Sequence, residues 1–91
     1  MTLRERLLDA VIDGHLGHGL IVTRQEVMAH FPSDPATYTG VMLSNSEMIT
    51  GQHSPTYDHF TLRVAEACYR IHPLALSERM QTRGLLPPLE N

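Results

Sequence analysis

Apolar residues recur at helical spacing near the start of the chain. Leu3, Leu7, Leu8, Val11 and Ile12 fall on one stripe, with Arg4, Glu5, Arg6, Asp9 and Asp13 mostly outside it. Thr2 followed by Glu5 is a capping-box signature, so this spacing predicts a first helix that Gly14 closes. Three glycines between Gly14 and Gly19 predict a turn. Leu20-Ile21-Val22 is too short for a helix and reads as a brief β-segment. Thr23 and Glu26 repeat the capping box and open a second helix, Arg24 to about Phe31, that buries Val27, Met28 and Phe31. Pro32 stops it. Asp34-Pro35 is a start signal, an N-cap side chain followed by proline at the first helical position. It predicts a third helix from Pro35 to about Glu47, burying Tyr38, Val41, Met42 and Met48. Gly40 weakens that helix and makes most sense where another backbone approaches closely.

After a polar loop from Ile49 to Pro55, the pattern changes to alternation. With Ala65-Glu66 as a two-residue turn, Phe60 faces Ile71, Leu62 faces Tyr69 and Val64 faces Ala67. These six side chains form one apolar face. His59, Thr61, Arg63, Cys68, Arg70 and His72 share the other. Ala-Glu is poor chemistry for a tight hairpin turn, so a longer loop or a bulge is an alternative. Pro73 ends the hairpin. Leu74, Leu76 and Met80 predict a short last helix closed by Gly84, with residues 85–91 as a tail.

The fold class expected is α+β, mainly α: a three-helix helix-turn-helix core, a two-stranded hairpin and a short C-terminal helix, as one domain over residues 2–84. Thr23-x-x-Glu26, Pro32-Ser33-Asp34-Pro35 and the Phe60–Ile71 hairpin occur in an order that resembles the winged helix-turn-helix superfamily. That resemblance implies a third helix entering the DNA major groove and a hairpin wing touching the backbone or the minor groove. It implies a small DNA-binding protein, a transcriptional regulator of phage, plasmid or bacterial origin, acting as a dimer on double-stranded DNA. Many modules of this architecture bind protein partners instead, so a protein-binding adaptor or inhibitor is the alternative.

Composition adjusts this picture. Ninety-one residues make one domain, 42% hydrophobic and 19% charged. The net charge of −3 argues against the strongly basic balance common in nucleic-acid binders and favours the adaptor reading. All seven cations are arginine. No apolar run can span a bilayer and no signal-peptide core follows Met1, so a cytoplasmic location without membrane contact is expected.

The candidate base-contacting groups are Thr37, Thr39, Ser44 and Asn45 on the third helix. Asn45 is the one with a strongly base-selective bonding mode, to adenine. No cation stands between Arg24 and Arg63, while Asp34 and Glu47 flank the helix. On the polar hairpin face, Thr61, Arg63 and Arg70 are the candidate phosphate contacts, and Arg79 and Arg83 extend that surface. The alternative is a solvated face whose arginines pair with Asp58, Glu66 or Glu78.

Other chemistry is thin. Cys68 excludes an internal disulfide or a cysteine zinc cluster. His59 and His72 are expected opposite each other at the open end of the hairpin, as ordinary surface histidines rather than a metal or pH-sensitive pair. His15-x-x-His18 sits in a glycine-rich turn that explains it without a ligand. No serine has a nucleophile-elbow context, and Cys68 lies on an open strand face. No catalytic residues, metal or cofactor are expected. Leu85, Leu86 and Leu89 in the tail either pack on a second subunit or fold back over the first helix.

Overall fold

The computed structural model describes residues 1–86. Its elements are α1 (Leu3–Ile12), β1 (Ile21–Thr23), α2 (Arg24–His30), α3 (Ala36–Thr39), α4 (Met42–Asn45), β2 (Thr61–Ala65), β3 (Cys68–Ile71) and α5 (Pro73–Thr82). Both capping boxes form. Thr2 and Thr23 accept from the backbones of Glu5 and Glu26, whose carboxylates reach back to the capping backbones. Each box satisfies donors that a helix N-terminus otherwise leaves open. α5 is capped differently: the His72 side chain accepts from Leu74 N, and Pro73 takes the first helical position.

The three strands form one antiparallel sheet in the order β1-β3-β2. The short segment after the glycine turn is therefore a third strand, beside a hairpin expected to stand as two. Ile21, Val22 and Thr23 pair with Arg70, Tyr69 and Cys68. Leu20 reaches its position with φ +73°, and its carbonyl accepts from Ile71 N.

The hairpin register differs from expectation by one residue. Thr61 pairs with Ile71, Leu62 with Arg70, and Arg63 with Tyr69, and a bulge between Arg63 and Ala65 leads to the pair Ala65–Cys68. The turn is Glu66-Ala67 rather than Ala65-Glu66, and Ala67 takes φ +53°. A one-residue slip exchanges the two faces of a strand. Thr61 consequently lies in the interior, while Leu62 and Val64 are 52% and 50% exposed. Phe60, just before the strand, supplies the apolar bulk that Leu62 was expected to supply and is 1% exposed.

The core gathers Leu7, Leu8 and Ala10 of α1, Leu16, Val22, Val27, Leu43, Phe60, Tyr69, Ile71, and Ala75 and Leu76 of α5. Two helices and one face of the sheet thus close on it, with α2 and α4 at the sides.

The expected third helix is two single turns. α3 ends at Gly40, and α4 starts after Val41, which caps it at φ −118°. Gly40 is tightly approached, as its position suggested, but not by a distant backbone. A Cβ there would lie 2.7 Å from Ala36 O and 3.0 Å from the Arg24 guanidinium. Asp34 does not cap α3 either. Its carboxylate is held by Arg6 in a two-pronged ion pair of 2.7 and 2.8 Å.

Candidate nucleic-acid interface

The surface carried by α3 and α4 is the region for which base contacts are expected. Thr37, Ser44 and Asn45 are exposed on it, beside Tyr38 and Val41. Ser44 Oγ is spent on the Val41 carbonyl at 3.1 Å. Thr39 is 1% exposed, and its hydroxyl turns back toward Pro35 O. Thr61 is fully buried and donates to Leu43 O at 2.8 Å. These two threonines were expected at the surface and are interior groups instead. The reason is local: α3 turns Thr39 inward, and the slipped register turns Thr61 inward.

Arg63 and Arg70 are both exposed, but the register parts them. Arg70 sits opposite Leu62 on the outer face, whereas Arg63 sits opposite Tyr69 on the face that meets the helices. They cannot act as one two-arginine patch. Arg63 follows Thr61 by two residues on the same face, one step beyond the bond from Thr61 to α4. Its side chain makes only a long contact, 3.4 Å, to Ala65 O.

Arg24 was expected only to bound a cation-free stretch, yet it belongs to this surface. Its backbone N–H donates to Ala67 O in the hairpin turn at 3.0 Å, and its Nε donates to Gly40 O at 2.8 Å. The residue thus joins the hairpin turn to the α3–α4 junction. The signal was available in β1: once that strand pairs with β3, the start of α2 has to lie beside the hairpin turn.

The other arginines divide cleanly. Arg79 binds Asp9 through Nε at 2.8 Å and Nη2 at 2.9 Å, and reaches Glu5 at 3.2 Å. Arg83 binds Asp13 at 3.1 Å and lies 3.5 Å from Asp9. Both therefore lock α5 to α1 and do not extend the hairpin surface. The hydrogen bond from Arg79 holds the Asp9 carboxyl below its usual range, and the bond from Arg6 does the same for Asp34. Glu5 is lowered chiefly by its bonds with Thr2, with a smaller contribution from Arg79. Arg4 stacks its guanidinium 4.3 Å from the centre of the Tyr57 ring and donates to the Tyr57 carbonyl. Among the described residues, Arg4, Arg24, Arg63 and Arg70 have no carboxylate within 4.0 Å.

His59 and His72 do not face each other. His59 Nδ1 bonds the Glu47 carbonyl at 3.0 Å, while His72 Nδ1 accepts from Leu74 N and caps α5. Among the described residues no three His, Cys, Asp or Glu side chains converge to hold a metal, and no helix is long and apolar enough to cross a membrane. Leu85 is 51% exposed and Leu86 partly covered; Leu89 lies outside the described residues.

Comparison with known protein families, with characterised proteins and with solved structures finds no match to this chain.

Proposed function

We propose that this chain is a small cytoplasmic DNA-binding module of winged helix-turn-helix plan, without catalytic activity, acting as a dimeric transcriptional regulator. The observation that carries the reading is the placement of Arg24 and Arg63. Arg24 reaches the α3–α4 junction at Gly40, Arg63 lies exposed on the face of β2 that Thr61 shares, and neither has a carboxylate partner among the described residues. Thr37 and Asn45 would then meet base edges, with the two arginines on phosphates. The net charge of −3 opposes the reading, and pairing does not remove it, because Glu5, Asp9, Asp13 and Asp34 share only Arg6, Arg79 and Arg83. A module of this size touches few base pairs, which is why two copies are part of the proposal.

The test is anisotropy of the purified protein on mixed duplex fragments at two salt concentrations. Affinity should fall steeply with salt, and Arg63→Ala should flatten the log–log slope by about 1, the share of one phosphate contact. Absence of binding at low salt would overturn the proposal. The adaptor reading would then stand, and one specific observation favours it: Leu62 and Val64, both apolar, are half exposed on a sheet.

A further inference from the structure

The outer face of the hairpin carries a concavity whose lining begins just after α4. The loop from Glu47 to His53 folds beside β2, and between them lies a groove of about 610 Å³ lined by that loop with Leu62, Arg70 and His72. This volume is within the ~300–1,000 Å³ range of small-molecule sites. The loop is anchored at both ends. Met48 N donates to Thr61 O at 2.8 Å, and the Gln52 side chain bonds the backbones of Ile49, Ser54 and His59. The groove wall is thus held in place without a ligand.

Its chemistry is that of an anion site with an apolar wall. Arg70 presents a planar fork of donors and, among the described residues, has no carboxylate within 4.0 Å. His72 Nδ1 accepts the N–H of Leu74, so in the neutral ring the proton is on Nε2, which is then a donor. His53 adds a further imidazole, and Glu47 is the one carboxylate in the lining. Met48, Ile49 and Leu62 supply apolar surface, with Ile49 61% exposed.

We propose that this groove binds a small organic anion, its carboxylate or phosphate on Arg70 and His72 and its apolar body against Ile49 and Leu62. The proposal does not rest on DNA binding, since Arg70 and Arg63 lie on opposite faces of the sheet.

The experiment is an amide NMR titration of the ¹⁵N-labelled protein with benzoate and with phenyl phosphate, at ionic strength held constant with chloride. Saturable shifts confined to residues 48–53, Leu62, Arg70 and His72 are expected. Saturation by benzoate alone identifies a carboxylate ligand, by phenyl phosphate alone a phosphate ester, and by both the shared anion chemistry. Arg70→Gln should weaken binding by about tenfold or more, because the charge-assisted fork is lost, while Arg63→Ala leaves it unchanged. Shifts that do not saturate with either probe, that centre on Arg63, or that survive Arg70→Gln would overturn the proposal. The unperturbed remainder of each variant's spectrum reports that the fold is retained.

Discussion

Thr61 places a hydroxyl in the interior, and the hydroxyl has a job. It donates to the carbonyl of Leu43, so the start of β2 is tied to α4 by a buried bond. Replacing it with valine keeps the shape and removes the donor, leaving a carbonyl of the interior short of a partner. Thr61→Val should cost ~1–2 kcal/mol, the penalty for a buried acceptor without its bond, read from the urea midpoint. A sequence pattern ranks threonine as polar and assigns it outward, because pattern reasoning does not see which carbonyl lies opposite. Arg24 was hidden for a related reason. Its role comes from two bonds, to Ala67 and Gly40, whose partners are distant in sequence. Gly40 shows the converse: its oddity inside a helical pattern was legible, and only the identity of the approaching group was not.

At the scale of elements, the two capping boxes read well, while the Asp34-Pro35 start signal and the strand pairing read poorly. The two Thr-x-x-Glu boxes, the proline stop at Pro32 and the last helix before Gly84 are local signals, and each stands where the residues put it. The hairpin depends on register, which alternation specifies only if every apolar residue goes inward. Phe60 fills the interior from just before β2, and the bulge between Arg63 and Ala65 absorbs the residue by which the strands are out of step. That bulge also twists an edge strand that would otherwise offer a straight template for pairing. The register has a direct test. The double change Leu62→Thr and Val64→Thr should move the thermal midpoint by no more than a few degrees, since both side chains are half exposed. A face buried as the alternation suggests would lose several kcal/mol, ~1.5–3 for each large apolar side chain, and unfold a domain of this size. The break of the third helix at Gly40–Val41 also belongs here, because two single turns display their side chains over a shorter, more irregular surface than one helix.

Across the whole molecule, part of the charge is sorted into ion pairs between elements. Acidic groups of α1 meet arginines of α5, and Asp34 meets Arg6, while Arg24, Arg63 and Arg70 lie on or beside the sheet together with Glu47 and Glu66. The bulk figure of −3 conceals this arrangement, and no count of residues reveals it. The sorting has a pH consequence. Asp9, Asp34 and Glu5 have folded-state values lowered by their partners, so their stabilisation is fully present above the unfolded carboxylate range. It is lost as pH falls through the lowered values, which places the decline below about pH 4. Thermal melts followed by circular dichroism from pH 7 to pH 2 should show this fall. Asp9→Asn and Asp34→Asn together should lower stability at pH 7 and shrink the acid-dependent drop.

The bonds between Arg79 and Asp9 span 70 positions of the chain. Contacts so far apart in sequence wait for a large loop to close, and they contribute late along the folding route. The α1–α5 lock should therefore act as a latch on the native state rather than a guide toward it. In stopped-flow measurements, Arg79→Ala should speed unfolding severalfold and leave the refolding rate nearly unchanged. How long the fold stays closed, more than how fast it forms, then depends on the Arg79 guanidinium.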